Sequence, residues 1–215
     1  MMLVLMGPPG VGKGTQAQRL SKSIAVPQVS TGDLLRSARR DGSELGRQAA
    51  AYMDAGDLVP DALVVELLGR RLAEADCADG AILDGFPRTV AQAMELDQLL
   101  GHAGQSVDRV VDLEIDDQVI VSRILGRRSC GGCGAIYHVS AAPPKIENTC
   151  DVCSQSPLIT RSDDNELAIQ SRLEAYHDLT RPVAEYYRGK GKLRSVPADA
   201  SVDVVFESLE RALER

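Results

Sequence analysis

Aromatic residues are scarce in this chain: two Phe, five Tyr and no Trp occur among its 215 residues. Aliphatic side chains must therefore fill most of a folded interior, and a hydrophobic content of 44% is ordinary for a globular protein. No uninterrupted apolar run approaches the roughly 18 residues that a membrane-spanning helix requires. The sequence therefore predicts a globular protein that has no membrane partner.

A basic surface and a basic leader are also missing. The formal net charge is −7, whereas a sequence-independent nucleic-acid binder needs a positive surface to contact phosphates, so we predict no nucleic-acid partner. The chain is apolar from Met1 and reaches a Gly-Pro turn at Gly7 without the positively charged region of a signal peptide. We interpret this start as a buried strand and predict a cytoplasmic protein.

Apolar runs typical of strands alternate with helical patterns along the chain. Such alternation is typical of an α/β fold, in which helices cover both faces of a mostly parallel sheet. The predicted strands are residues 3–6, 81–83, 109–113 and 193–196. The predicted helices are residues 15–24, 32–40, 44–54, 62–75, 90–100, 117–125, 166–188 and 202–214. Cys, Gly and Pro dominate residues 127–164 instead, so this segment is predicted to be a small insertion with its own means of support.

Residues 7–15, with the sequence GPPGVGKGT, follow the first predicted strand and open the first predicted helix. This order is the context of a P-loop, in which backbone N–H groups wrap a phosphate. The helix N-terminus and the ammonium of Lys13 add positive charge. Gly14 stands where Ser or Thr usually follows the lysine, and the hydroxyl comes one residue later at Thr15. Its assignment to Mg²⁺ therefore stays open.

Polar residues follow two further predicted elements. Residues 29–36, VSTGDLLR, come after the first helix, and residues 84–88, DGFPR, come after a buried strand. Ligands of open α/β sheets bind beyond the carboxyl ends of the strands, so Asp84 is predicted to face the P-loop, where a carboxylate can hold Mg²⁺ through water. Arg88 follows a rigid proline turn that suits a fixed phosphate grip. Gln92 shares its helix face and is predicted to read a base edge.

Arginines recur outside any obvious surface charge pattern, which in an acidic protein suggests an enclosed site for a polyanion. Solvated arginines on helix faces are the alternative interpretation for any one of them. The residues concerned are Arg36, Arg88, Arg123, Arg127, Arg128, Arg161 and Arg172.

Two C-x₂-C pairs lie sixteen residues apart in the insertion, at Cys130, Cys133, Cys150 and Cys153. Two such pairs together give the four thiolates of a closed tetrahedral Zn²⁺ site, which has a structural role because it leaves no open coordination position. Disulfides are the main alternative, and a cytosolic setting disfavours them. Cys77 stands apart as a small semi-buried residue. His138 is a fifth possible ligand that we expect to face nucleotide or solvent.

At the motifs GPPGVGKGTQ (7–16), PQVSTGDLLR (27–36) and LDGFPRTVAQA (83–93), the sequence resembles adenylate kinase. The resemblance continues through residues 126–128, 137–138, 161–164 and 172–173, whereas residues 193–215 match only in outline. It implies a P-loop NTPase core at residues 1–29, 60–126 and 165–215, an AMP-binding insertion at 30–59 and a mobile lid at 127–164. It also implies the reaction MgATP + AMP ⇌ 2 ADP, with ATP, AMP and ADP as ligands, Mg²⁺ and structural Zn²⁺ as cofactors, and a monomer.

The resemblance also implies a role for individual residues. The residues expected to act in catalysis are Lys13, Asp84, Arg88, Arg123, Arg161 and Arg172. Those expected to bind ATP are Gly10, Val11, Gly12, Lys13, Gly14, Thr15, Arg123, Arg127, Tyr137 and His138. Those expected to bind AMP are Thr31, Arg36, Asp57, Leu58, Val59, Gly85, Phe86, Arg88, Gln92, Arg161 and Arg172.

Three alternative functions remain at this point. A UMP/CMP kinase shares the P-loop and the DGFPR motif, but those relatives generally have a shorter lid. A GTP-using AMP kinase is harder to separate because the donor base is read largely by backbone groups. The third alternative is a P-loop protein whose zinc ribbon binds nucleic acid, and the acidic balance and the lack of stacking aromatics weigh against it.

Overall fold

A computed structural model of the chain describes residues 1–55 and 57–214. Its strands are β1 (Met2–Met6), β2 (Gln28–Ser30), β3 (Ala81–Asp84), β4 (Arg109–Glu114), β5 (Arg127–Ser129), β6 (Ile136–His138) and β7 (Leu193–Pro197). Five of them form a parallel sheet in the order β2-β3-β1-β4-β7. The predicted parallel α/β sheet is therefore confirmed. Sequence analysis did not predict β2, an edge strand of three residues, because so short a strand buries only Val29.

The helices surround this sheet. They are α1 (Lys13–Ile24), α2 (Thr31–Arg40), α3 (Glu44–Ala55), α4 (Asp61–Leu72), α5 (Val90–His102), α6 (Asp117–Leu125), α7 (Glu166–Ala175), α8 (Arg181–Gly189) and α9 (Val202–Leu213). Among the described residues, no helix is both long and apolar enough to cross a membrane.

The prediction of one helix over residues 166–188 is wrong in one respect, because a π-helical turn at Tyr176–Thr180 separates α7 from α8. Pro182, near the start of α8, has no N–H group, and its ring clashes with the carbonyl of Asp178 in a regular α-helix. The helical hydrogen-bond pattern therefore changes from i→i−4 to i→i−5 before the proline: the N–H of Arg181 bonds to the carbonyl of Tyr176, five residues back.

Apolar side chains cover both faces of the sheet. Along β1, Val4 and Met6 belong to one buried cluster, whereas Leu3 and Leu5 belong to another. This alternation follows from the period of two in a strand. Both faces of the central strand are thus sealed by helices, which confirms the predicted three-layer arrangement.

Residues 127–164, here called the lid segment, have a different construction. Strands β5 and β6 pair antiparallel, and Ser129 forms a further bridge to Ile159. The buried hydrophobic cluster of this segment consists of four residues, Cys130, Tyr137, Cys150 and Leu158. The lid segment therefore lacks an aliphatic core comparable to those on the sheet.

Candidate nucleotide-binding site

A cavity of about 490 Å³ opens at the carboxyl ends of the parallel strands. Its wall includes the P-loop, Asp84 at the end of β3 and Arg123 of α6. The lid segment contributes Ile136 and Arg161, and α7 contributes Arg172. The parallel sheet therefore gathers residues from distant parts of the chain around one space, at the edge where ligands bind in such folds.

The P-loop backbone requires glycine at two positions next to the cavity. Gly7 and Gly10 have φ angles of +132° and +78°. A Cβ atom at Gly7 would lie 2.5 Å from the carbonyl oxygen of Leu113, and one at Gly10 would lie 2.5 Å from Cγ1 of Ile124. Both positions therefore exclude a side chain, and the loop can pack tightly against β4 and α6.

Lys13 is the first residue of α1, and its side chain folds back over the loop. Its ammonium donates hydrogen bonds to the carbonyls of Gly7 at 2.7 Å and Pro8 at 2.9 Å. Burial lowers the pKa of Lys13 to about 8, and the nearby carboxylate of Asp84 partly opposes this effect. A phosphate in the cavity would stabilise the charged form of this ammonium.

Asp84 is buried, with 8% of its surface exposed. Its Oδ2 accepts a hydrogen bond from Nε2 of Gln28 at 3.1 Å. Burial raises the pKa of Asp84, whereas the charge of Lys13 acts in the opposite direction. A Cβ atom at Gly14 would lie 3.4 Å from Oδ2 of Asp84, so glycine leaves room beside the carboxylate. This buried oxygen ligand suits a hard cation such as Mg²⁺.

Arg88 presents its charge to the cavity. Its Nε donates to the carbonyl of Gly85 at 2.8 Å, and its backbone N–H donates to Oε1 of Gln92 at 2.7 Å. Within the described part of the chain, no hydrogen bond or ion pair engages its two terminal nitrogens. Burial, followed by the like charge of Arg172, lowers the pKa of Arg88 to about 10. Such a cation gains stability when an anion binds beside it.

Three further predicted arginines line the same cavity. Arg36 pairs with Asp33 at 2.6 Å, and Arg172 pairs with Asp163 at 2.9 Å. Nε of Arg161 donates to a neutral group, the hydroxyl of Ser129, at 3.1 Å. The pKa of Arg161 is lowered to about 10, first by burial and then by Arg36, and burial also lowers the pKa of Arg172. The repulsion among these cations makes the cavity a strong attractor of polyanions.

Arg123 and Arg127 lie on the side of the cavity formed by α6 and β5. Nη1 of Arg123 donates to the carbonyls of Val11 at 3.3 Å and Ala198 at 3.2 Å. Arg127 forms a two-pronged ion pair with the buried carboxylate of Asp164, in which Nε lies 2.8 Å from Oδ2. Both arginines are therefore fixed in orientation by groups from other segments of the chain.

A second, smaller cavity of about 60 Å³ lies beside the arginines. It is lined by all but two of the residues expected to bind AMP; Phe86 and Arg161 line the larger cavity instead. Its residues from the expected set are Thr31, Arg36, Asp57, Leu58, Val59, Gly85, Arg88, Gln92 and Arg172. The hydroxyl of Thr31 donates to the carbonyl of Gly85 at 2.9 Å and joins α2 to the loop after β3.

Gln92 is 2% exposed, and both ends of its amide are bound to protein. Oε1 accepts from the N–H of Arg88, and Nε2 donates to Oδ1 of Asp61 at 2.6 Å. In this structure the amide therefore holds the arginine loop, and its reading of a base edge stays a prediction. Sequence analysis missed Asp61, whose partnership with Gln92 spans 31 residues.

Tyr137 and His138 also line the large cavity, but their polar atoms bind protein. The hydroxyl of Tyr137 lies 3.4 Å from Sγ of Cys150 and accepts the N–H of Asp151 at 2.7 Å. Nδ1 of His138 accepts from the N–H of Ala141 at 3.1 Å. The tyrosine hydroxyl thus supports the cysteine cluster, and ATP contact by either residue stays a prediction.

The four lid cysteines converge on one point, and their Sγ atoms all lie within 4.8 Å of one another. The shortest separations join the two pairs: 3.4 Å from Cys130 to Cys153 and 3.5 Å from Cys133 to Cys150. These distances far exceed a disulfide bond of about 2.05 Å. They are near the spacing of about 3.8 Å between sulfurs at 2.3 Å from a tetrahedral zinc. The donor set therefore fits a thiophilic metal ion.

Comparisons with known proteins decide the family. The family described as adenylate kinase matches residues 5–192 of this chain. An adenylate kinase of Lachnospira eligens is 46% identical over 213 residues, which are 99% of this chain and 100% of the relative. An adenylate kinase of Clostridioides difficile is 47% identical over 99% of this chain and 98% of its own. An adenylate kinase of Archaeoglobus fulgidus is 45% identical over 215 residues, which are 100% of this chain and 99% of the relative. The chain belongs to the adenylate kinase family.

The family and the full-length relatives favour an adenylate kinase over the UMP/CMP kinase that the sequence left open. An adenylate kinase is a phosphotransferase acting on nucleoside monophosphates, and the cavity has the cations that such chemistry needs. The sequence prediction of this function is therefore confirmed.

Proposed function

We propose that this adenylate kinase catalyses MgATP + AMP ⇌ 2 ADP with the donor phosphates over the P-loop and the acceptor phosphate between Arg36 and Arg88. One observation carries the assignment: Arg88 has two terminal nitrogens without a protein partner among the described residues, and it lies where the two cavities meet. An arginine in this position can hold an acceptor phosphate in line with the donor.

The chain is proposed to act in three parts, with the boundaries that the sequence suggested. The core comprises residues 1–29, 60–126 and 165–215, the acceptor insertion comprises residues 30–59, and the lid segment covers the P-loop. Two distances support this placement of the lid segment: Cδ1 of Ile136 would lie 3.7 Å from a Cβ built at Gly14 of the P-loop, and the hydroxyl of Ser162 donates to Oδ1 of Asp54 in the acceptor insertion at 3.1 Å. Gly56 lies outside the described residues.

The reaction requires an oxygen of the AMP phosphate to attack the γ-phosphorus of ATP while the bond to the bridging oxygen of the β-phosphate breaks. Lys13 is proposed to neutralise the β- and γ-phosphates, and Arg36 and Arg88 to orient the attacking phosphate. Arg123, Arg161 and Arg172 would surround the transferred group. Closure of the lid segment over the cavity would exclude water, which is the competing nucleophile.

Mg²⁺ is proposed to bind with ATP beside Asp84, and it would supply further neutralisation of phosphate charge when bound. The carboxylate fits this role because it is buried next to the P-loop and Gly14 leaves space at its Oδ2. Gln28 orients the same carboxylate through its amide. An Asp84→Asn variant should therefore need a higher Mg²⁺ concentration for half-maximal activity and should lose Mg²⁺-dependent quenching of a fluorescent ATP analogue.

Zn²⁺ is proposed as the lid metal, with Cys130, Cys133, Cys150 and Cys153 as ligands. Four converging thiols prefer a thiophilic ion, and backbone N–H groups reinforce them: those of Cys133 and Gly132 point at Cys130 and lower its pKa. The hydroxyl of Tyr137 plays the same part for Cys150. Since all four positions of a tetrahedral ion are filled, the metal would have a structural role.

A coupled assay across AMP, CMP, UMP and GMP, with ATP and GTP as donors, tests the substrate assignment. The expected result is that AMP with ATP gives the highest kcat/KM. Faster transfer from GTP would leave the acceptor assignment intact and overturn the donor assignment. A monomer in the cytoplasm is also proposed, and a sedimentation profile with a dimer would contradict the monomer.

A further inference from the structure

The π-helical turn at Tyr176–Thr180 ends on a buried threonine that no step of the proposed reaction uses. Thr180 is 8% exposed, and its hydroxyl donates to the backbone carbonyl of Arg88 at 2.9 Å. The bond spans 92 residues of sequence and joins the carboxyl-terminal helices to the loop after β3. Tyr176 and Thr180 both line the large cavity. Turns of this kind often occur at functional sites.

The hydrogen bond completes a fixed frame around Arg88. Gln92 accepts its backbone N–H, Thr180 donates to its backbone carbonyl, and the carbonyl of Gly85 accepts from its side-chain Nε. The remaining terminal nitrogens face the cavity. Because the backbone is held on both sides, the direction of the guanidinium is set before any phosphate arrives.

The same carboxyl-terminal segment carries a second cation of the site. Arg172 lies on α7, eight residues before Thr180. Side chains eight residues apart diverge by about 80° around a regular α-helix, and the wider π turn rotates the chain by less per residue. Arg172 and Thr180 consequently both reach the cavity wall, although α7 and α8 are separate helices.

The positive charge of Arg172 disfavours the charged form of Arg88 when no anion lies between them. This repulsion favours a larger separation between the loop that carries Arg88 and α7. The bond from Thr180 ties that loop to the segment bearing Arg172, so the two cations keep their separation. A preformed anion site of this kind lowers the cost of organising the transition state.

We propose that Thr180 is a positioning residue for Arg88, which fixes the acceptor-phosphate grip relative to Arg172. The inference rests on the proposed role of Arg88. Its consequence is specific to the acceptor: losing the hydroxyl should lower kcat/KM for AMP and leave KM for ATP nearly unchanged.

The primary test is Thr180→Val, which keeps the shape of the side chain and removes the donor. One neutral hydrogen bond corresponds to a fall of about tenfold in kcat/KM for AMP. Thr180→Ser keeps the hydroxyl and should restore activity to within about threefold of the parent. The matched control is Ser21→Ala, which deletes a hydroxyl-to-carbonyl bond to Val26 at 2.6 Å away from the cavity. All variants are assayed at a temperature where circular dichroism shows them folded.

A double-mutant cycle with Arg88→Ala separates the inference from the assignment on which it rests. If Thr180 acts through Arg88, Thr180→Val should change kcat/KM by less than about twofold in the Arg88→Ala background. An equal tenfold fall in both backgrounds, or near-normal AMP kinetics of Thr180→Val alone, would overturn the positioning role. Near-normal activity of Arg88→Ala alone would instead overturn the proposed role of Arg88.

Discussion

The nucleotide cavity and the lid segment place polar groups in opposite surroundings. Around the cavity, charged side chains stand on a sheet whose two faces are sealed by large aliphatic clusters. In the lid segment, the buried hydrophobic cluster is two cysteines, a tyrosine and one leucine. Burial of each large aliphatic side chain contributes about 1.5–3 kcal/mol, so the first region has ample stability of its own and the second has little.

This difference explains how each region uses its polar atoms. The core can keep Arg88 with two unpartnered nitrogens, at least among the described residues, because its stability comes from elsewhere. The lid segment has to satisfy its polar atoms locally, and its thiols, tyrosine hydroxyl and backbone N–H groups converge on each other. Removing a polar group should therefore abolish activity in one region and folding in the other.

The largest effect is expected from Arg88→Ala. Loss of one preorganised donor to the reacting phosphates should lower kcat by about 10²–10³-fold. The melting temperature should stay the same or rise, because the substitution removes a buried cation that burial and Arg172 disfavour. Single-turnover transfer and calorimetric melting measure the two quantities.

The control for this variant is Arg70→Ala, which removes an exposed arginine paired with Glu66 on α4. It should change neither turnover nor melting appreciably. Near-normal turnover of Arg88→Ala, or a large drop in its melting temperature, would contradict the proposal that this arginine serves the reaction while the aliphatic clusters supply the stability.

The spacing of residues in the sequence was sufficient to predict features that are formed by neighbouring residues. The P-loop lies within nine consecutive residues between a strand and a helix, and each cysteine pair is a single turn. The structure has the predicted strand and helix on either side of residues 7–15 and brings the four cysteines together, because neighbouring residues define both features. The doubly covered sheet was also predictable, since alternating strands and helices have few stable arrangements.

The long-range partners were not predictable from one sequence. Gln28 with Asp84, Arg127 with Asp164 and Thr180 with Arg88 are 56, 37 and 92 residues apart. No local pattern specifies such pairs, because they exist only once the sheet has gathered its loops. The same limit applies to the other arginines. Arg128 was one of the recurring arginines, yet it bonds to the carbonyls of Leu125 and Arg127 and does not line the described cavities.

Removal of the lid metal is expected to have the next largest effect. A strong chelator, or Cys133→Ser, should abolish amide protection in residues 127–164 while β1, β3 and β4 stay protected in hydrogen exchange. Phosphotransfer should fall by roughly tenfold and the share of ATP lost to hydrolysis should rise, because an unfolded lid admits water.

Cys77→Ala is the matched control for the metal. Cys77 is buried in the core cluster on the sheet, and its thiol is outside the group of four. The variant should lose about 1–2 kcal/mol of stability through the small cavity it creates and should retain a full complement of zinc. Equal zinc contents of Cys77→Ala and Cys133→Ser, or a lid that stays protected after chelation, would show that the cysteines do not support the segment through a metal.

The smallest effect concerns the pH dependence of ATP binding. It tests the difference between the cavity and the lid segment, because a change in pH removes the charge of a cavity lysine while the fold stays intact. Burial lowers the pKa of Lys13 from 10.5 to about 8. Since the folded pKa is depressed, the cost of burying the charge is fully present below about pH 8 and disappears as the pH rises towards 10.5. Donor phosphates favour the charged form, so ATP binding should take up a proton above pH 8 and weaken by about fivefold between pH 8 and pH 9.

Calorimetry in two buffers of different ionisation enthalpy measures this proton uptake directly. The comparison is with Lys13→Arg, whose guanidinium stays charged throughout this range and should therefore bind ATP without proton uptake, whatever its affinity. The lysine enzyme should show almost no uptake at pH 7, where its ammonium is already charged. Equal uptake by both proteins at pH 9 would place the titrating group elsewhere in the cavity, whereas uptake by the lysine enzyme alone would identify Lys13 as the core cation that responds to the donor.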